Sequence, residues 1–177
     1  MQFETYEFLT TLDIDVDRNS ATAKAVVPEK NNVFDHHFPD YPILPGAYQI
    51  EIAAQSSGYL CLAHTHWEQL PLLMAVDKAR FRQPIVPGTH IHVRTKILHL
   101  GSSYGAVTNR LEQEDGTCFA DVDVRLRFFD FPSDKIRQHT MKKFLRVVDV
   151  GASRQEVLDS KFMETSNSLS GSEGGTL

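Results

Sequence analysis

The stretch Gly46-Ala47-Tyr48-Gln49-Ile50-Glu51-Ile52-Ala53-Ala54-Gln55-Ser56-Ser57-Gly58-Tyr59-Leu60-Cys61-Leu62 decides the fold of this chain. It reads as a helix from about Gly46 to Ala63, with small or apolar side chains around most of its circumference. Such a helix is buried on several sides rather than laid on a surface. Pro45 and Gly46 suit its start, where the N–H groups have no intrahelical acceptor. Before it, Pro39, Pro42 and Pro45 follow one another at three-residue spacing within residues 32–46. That spacing forbids a helix and predicts a stiff, extended loop.

On both sides of this segment the period is two. Leu12, Ile14 and Val16 alternate with Asp13, Asp15 and Asp17; after the turn Arg18-Asn19-Ser20, Ala21, Ala23, Ala25 and Val27 form a second apolar series. This predicts a β-hairpin. Strands resume after Pro71 with the apolar run Leu72–Val76, and Lys78, Arg80 and Arg82 then alternate with Ala79 and Phe81. Ile91, Val93, Thr95 and Ile97 alternate with polar residues, and Tyr104–Glu112 and Thr117–Phe129 flank the turn Glu114-Asp115-Gly116. In the last strand Cys118, Ala120, Val122, Val124, Leu126 and Phe128 share one face, with Phe119, Asp121 and Asp123 on the other. One wet face implies an antiparallel sheet. A sheet with one apolar face and one helix in its middle wraps that helix, giving a single α+β domain over 1–130. Residues 131–165 read as a helical extension, with a start at Ser133 and a packing face of Ile136, Met141, Phe144 and Leu145, then a second short helix over Arg154–Met163. Residues 166–177 are small and polar and read as a disordered tail.

Composition narrows the function classes. The 177 residues are 41% apolar and 23% charged, the range of a globular protein. Eighteen basic against 23 acidic side chains leave a net charge of −5, and the excess lies in residues 1–130. Binding of nucleic acid through the overall field is thereby disfavoured. No run approaches the ~20 apolar residues of a membrane span. The first residues show no basic region followed by an apolar run, so no secretory signal is expected and the cytoplasm is the expected compartment. Cys61 and Cys118, each in an apolar stretch, read as buried free thiols. His90 and His92 share a strand face without a third ligand, which falls short of a metal site.

Two residues stand out chemically. Glu51 sits one turn into an otherwise apolar helix; a carboxyl deprived of hydration there is held toward its acid form, as general acid catalysis needs. His37 precedes the proline-spaced loop, which can hold an imidazole in place for proton transfer. His36 is a competing imidazole.

The series His37-Phe38-Pro39, Pro42, Pro45-Gly46, Glu51 and Ala54-Gln55 closely resembles the active-site segment of the FabZ-type 3-hydroxyacyl-(acyl carrier protein) dehydratases, in register over the fourteen residues from His to Glu. Asp77-Lys78-Ala79-Arg80-Phe81-Arg82-Gln83-Pro84-Ile85-Val86-Pro87-Gly88 resembles the same family's strand-and-turn segment. The resemblance implies a hot-dog fold and elimination of water from a 3-hydroxyacyl thioester carried on an acyl carrier protein, giving a trans-2-enoyl thioester in fatty-acid or related acyl or polyketide synthesis. No metal or cofactor is implied. It assigns His37 and Glu51 as catalytic, from different subunits of a homodimer whose interface holds the site, and allows assembly beyond the dimer. It places the thioester carbonyl on the Gly46 N–H, where a helix N-terminus suits a developing enolate oxygen. Gln55, one turn after Glu51, is placed to orient it. Ile50, Phe81 and Ile85 are candidate walls of an acyl slot. Lys78, Arg80 and Arg82 are the first candidates for docking the acidic carrier protein, with Lys135, Arg137, Lys142, Lys143 and Arg146 second. The family usually has glycine where this chain has His36 and Asp40, and its short members have no counterpart of residues 131–177. Glu51, where the related FabA type has aspartate, implies no isomerisation. Two rivals make different predictions: a hot-dog thioesterase releases thiol, and a silent carrier-binding module does no chemistry.

Overall fold

The computed structural model of the protein describes residues 7–148. Strands β1 (Leu9–Asp15) and β2 (Ser20–Val26) form the expected hairpin, with Asn19 at φ 54° in its turn. Leu12, Ile14, Ala21, Ala23, Ala25 and Val27 are buried; Val16, just past the end of β1, is exposed. A short 3-10 helix, Asn32–Asp35, opens the stretch read as extended loop. The Asn31 side chain accepts from the Val33 N–H at 2.9 Å, and the prolines come only after this turn. Then follow α1 (Gly46–His64), β3 (Gln69–Phe81), β4 (His90–Leu100), β5 (Tyr104–Glu112), β6 (Cys118–Asp130) and α2 (Asp134–Val147).

The six strands make one antiparallel sheet in the order β1-β2-β4-β5-β6-β3, and α1 packs against all six. The sheet wraps the helix, the hot-dog arrangement. A buried polar network fixes α1 within it. Ser56 bonds Thr95 (2.6 Å), Thr95 donates to Asn109 Oδ1 (2.9 Å), and Asn109 Nδ2 donates to Ser57 (2.9 Å) and to the Val122 carbonyl (3.2 Å). All four side chains are buried, so each bond keeps a polar group from being stranded away from water.

Three details depart from the sequence expectation. First, β3 begins at Gln69 and contains Pro71, which sits in an edge strand paired only with β6, where a missing N–H need not break a ladder. Its apolar run is not core: Leu72, Leu73 and Met74 are 44–48% exposed. Second, Phe119 is buried while Cys118 is only half-buried, with its Sγ 3.7 Å from Asp121 Oδ1. Leu111 pairs with Ala120 but Glu112 with Cys118, so Phe119 is the extra residue of a bulge and the alternation reverses there. Cys61 is buried as expected, and burial pushes its thiol up to about 12.

Third, α2 starts where expected, with the Ser133 hydroxyl accepting from the Ile136 N–H, but its packing face is different. Met141 and Phe144 are buried; Ile136 and Leu145 are exposed. Met141, Phe144 and Val148 follow the i, i+3, i+7 stripe of one helix face, and Ile136 and Leu145 fall off it. Phe144 packs on Tyr59 and edge-on against Trp67, with ring centroids 5.5 and 4.8 Å away. Glu7 takes ion pairs from Lys143 (3.1 Å) and Arg146 (3.5 Å). The rest of the 131–165 extension beyond Val148, including the helix expected over 154–163, and the 166–177 tail lie outside the described residues.

Candidate active site

The loop ahead of α1 is fixed by its backbone. Phe38 and Tyr41 exchange N–H···O bonds of 3.2 and 3.1 Å across a turn with Pro39 second and Asp40 third. Asp40 has φ 66°, the left-handed conformation that type II turns require at this place and that glycine adopts most easily. The glycine usual in the resembling family thus has a conformational reason. The Leu44 N–H donates to the Ile85 carbonyl at 2.7 Å, fastening the loop to the segment after β3.

His37 is held at both ends. Its carbonyl accepts from the Ile43 N–H (3.0 Å), and its ring Nδ1 lies 3.1 Å from the Ile43 carbonyl. A carbonyl can only accept, so Nδ1 is the donor of this bond, and in the neutral ring the lone pair is then on Nε2. The ring is half-buried and stacks on Phe38 at 4.4 Å between centroids. His36, by contrast, is exposed at the end of the 3-10 helix. Ile43 is a residue the sequence gives no cue for, because its contribution is a backbone oxygen.

Gly46 is the first residue of α1, and its nearest neighbour is the Phe81 ring. A Cβ at Gly46 would lie 2.8 Å from Phe81 Cε2 and Cζ, so a side chain there would have to displace this ring. The structure thus brings Phe81 and Gly46 together at the helix start. Ile50 is half-buried against the core, and Ile85 is fully buried in it, so neither stands as an open wall in the single chain.

Glu51 is exposed in the single chain rather than enclosed by an apolar helix surround, because the sheet covers only part of the circumference of α1. Gln55 Nε2 donates to Glu51 Oε1 at 3.0 Å, the orienting contact expected from the i, i+4 spacing. Glu51, Gln55 and Tyr59 form one stripe lining two cavities. The first, about 210 Å³, is completed by Glu7, Leu9, Lys143 and Val147. The second, about 230 Å³, runs between α1 and the beginning of β3 and is bounded by Thr140 of α2. Burial, with the Glu7 charge added, pushes the Tyr59 hydroxyl up to about 12 and keeps it protonated. The i+4, i+8 repeat from Glu51 is the signal that marks Tyr59; nothing in the sequence marks Thr140. His37 lines neither of these two cavities.

The docking candidates on β3 and just past its end are not a bare cationic strip. Lys78 pairs with Asp123 at 3.8 Å, and Arg82 Nε donates to Asp121 at 2.9 Å. Arg110 reaches Glu112 (3.1 Å) and Asp121 (3.4 Å), and Arg94 bonds Glu112. Hydrogen bonds from Arg82 hold the Asp121 carboxyl below the usual carboxylate range. Burial favours the acid form of Glu112, but Arg94 and Arg110 outweigh it and hold that carboxyl low too. Arg80 is exposed on the same strand. Of the second cluster, Lys143 and Arg146 are engaged by Glu7, and Arg137 lies over the Phe131 ring at 5.3 Å. Among the described residues no group of three or more His, Cys, Asp or Glu is placed to hold a metal, and no helix is long and apolar enough to cross a membrane.

The ApeI-like family, described as ApeI dehydratase, matches residues 13–122. The chain belongs to the ApeI-like dehydratase family. The match runs from the end of β1 through β2, the His37 loop, α1 and β3 to β5, and reaches into β6. The 3-hydroxyacyl-[acyl-carrier-protein] dehydratase FabZ of Protochlamydia amoebophila is 34% identical to this family member over 105 residues, 58% of this chain and 68% of the relative. The FabZ of Solibacter usitatus is 34% identical over 99 residues, 55% of this chain and 60% of the relative. Solved structures share the fold at much lower identity. The smu.793 protein of Streptococcus mutans, bound to acetyl CoA, superposes with a TM-score of 0.56 at 10% identity, covering 75% of this chain and 97% of that one. The putative thioesterase yhdA of Lactococcus lactis gives 0.53 at 12%, covering 63% and 84%.

Proposed function

We propose that the protein dehydrates a 3-hydroxyacyl thioester carried on an acyl carrier protein, in fatty-acid or related acyl synthesis in the cytoplasm, and that it does so as a homodimer. The observation that carries the reading is the pinned imidazole: with Nδ1 tied to the Ile43 carbonyl, His37 offers Nε2 as a base. Family membership and the FabZ relatives support the substrate class.

In this reading His37 Nε2 takes the proton from the carbon beside the thioester carbonyl. The Gly46 N–H, free at the first turn of α1, stabilises the enolate oxygen. Glu51, oriented by Gln55, is the general acid that gives a proton to the departing hydroxyl. Water leaves, the double bond forms between the second and third carbons, and the proton on His37 returns to Glu51 through solvent. His37 and Glu51 meet across the dimer, which supplies the enclosure that Glu51 lacks in one chain. The unpaired backbone edge of β3 suits contact with a second copy, since an unpaired strand edge is a template for pairing. Arg80, Lys78 and Arg82 face the carrier protein from the strand whose end holds Phe81 against Gly46.

The test is a mass-spectrometric assay on 3-hydroxyacyl carrier protein. Loss of one water with the thioester intact is expected. Release of thiol would replace this reading with a thioesterase, and carrier binding without chemistry would replace it with a binding module.

A further inference from the structure

The second cavity at Glu51 has a built character that the reaction alone does not explain. Beyond Glu51 its floor is Ala54, Gly58 and Leu62, at i+3, i+7 and i+11 along α1, and its wall is Leu70, Leu72 and Leu73 of β3. From Glu51 to Leu62 this is about 16 Å of helix axis. Ala54 and Gly58 leave depth on the floor, and the wall offers only apolar side chains. Thr140 of α2 also lines this cavity, and α2 begins at Asp134, beyond the residues the family match covers. α2 is held there by Phe144 between Tyr59 and Trp67 and by the Glu7 ion pairs, so its position is fixed by packing.

We infer that α2 is a specificity element: it closes the apolar groove leading away from Glu51, the groove takes the alkyl chain of the substrate, and Gly58 and Thr140 limit the chain length. This rests on Glu51 as the acid of the dehydration. With the thioester at Gly46 and the 3-hydroxyl at Glu51, the rest of the acyl chain continues along α1 in the direction of Ala54 and Gly58. A Cβ at Gly58 meets only Pro71 Cγ, at the ordinary distance of 3.9 Å, so a side chain placed there enters the groove without disturbing backbone. Leucine also raises helix propensity at that site. Thr140 donates its hydroxyl to the Ile136 carbonyl of its own helix, so replacing it breaks no tertiary bond shown here.

The experiment measures equilibrium binding of 3-hydroxyacyl pantetheine thioesters of increasing length to the full chain, alongside Gly58→Leu and Thr140→Trp, with dehydration followed in parallel. In the unaltered protein affinity rises about 4-fold per added methylene until the groove is full. In each variant the plateau moves to a shorter chain, and the preference for the longest over the shortest ligand falls at least about 10-fold. Affinity independent of length in the unaltered protein, or the same plateau in both variants, would overturn the inference. A changed oligomeric state with an unchanged plateau would also overturn it and assign the groove to a second copy. The two readings separate cleanly. Length-dependent binding without water loss keeps the groove and fails the dehydratase, and water loss with length-independent binding does the reverse.

Discussion

The two halves of α1 carry polar groups under opposite conditions. In the C-terminal half, Ser56 and Ser57 are fully buried and bonded through Thr95 and Asn109 to three strands. In the N-terminal half, Glu51 is exposed, bonded to Gln55 one turn away, with proton-transfer capacity left open. His37 in the preceding loop is alike: one ring nitrogen is committed to Ile43 and the other is not. A network whose donors and acceptors are all matched specifies a position; one with a spare lone pair or proton can take part in a reaction. The closed region therefore answers for stability and the open region for activity, and substitutions should divide accordingly.

The largest expected effect belongs to the open region. Glu51→Gln should lower kcat for dehydration by about 10³-fold or more while leaving denaturant unfolding within about 0.5 kcal/mol of the parent. The closed region should invert this. Asn109→Leu leaves the buried Ser57 hydroxyl without its partner and takes one of the two partners of Thr95, and should cost about 3 kcal/mol in urea unfolding, with activity per folded molecule preserved. A stability loss from Glu51→Gln as large as that from Asn109→Leu would erase the distinction. Gln55→Ala sharpens it: as a positioning residue it should cost about 10-fold in kcat with KM unchanged.

Smaller effects test the edges of the picture. Asp40→Gly relieves a positive φ in the loop that carries His37 and should raise stability by about 0.5 kcal/mol in thermal or urea unfolding. On the outer face of the sheet, Asp121 is held below the usual carboxylate range by Arg82. Its folded pKa lies below its unfolded one. The stability it contributes is therefore present above the unfolded value near ~3.9 and is lost as pH falls through the folded value. Asp121→Asn should flatten the acid limb of the stability profile by under about 1 kcal/mol, the scale of a partly exposed ion pair.

Much of this was legible in the sequence, and the exceptions have physical causes. Period-two alternation placed Leu12, Ala21, Ile91 and Val122 correctly, because a strand with one wet face records its burial directly. It failed at Cys118 and Phe119, where a bulge inserts one residue and no composition cue marks it. It misled at Leu72–Met74, because an apolar run looks the same in a core strand and on a sheet edge. The Glu51–Gln55 contact followed from helix spacing alone. The expected enclosure of Glu51 did not follow, because the sheet leaves part of α1 uncovered. Thr140 stayed invisible, since its relation to Gly58 depends on where α2 docks, and that depends on Phe144 finding Tyr59 and Trp67.

His37 and Glu51 are proposed as halves of a site that two chains complete. Mixing His37→Ala and Glu51→Gln chains in equal amounts, with exchange of subunits, tests it most directly. Each variant alone should be inactive in the water-loss assay. The mixture should recover about a quarter of the unaltered activity, because half the dimers are mixed and each of those holds one intact site. A mixture as inactive as its components would contradict the claim and confine the working His37 and Glu51 to a single chain.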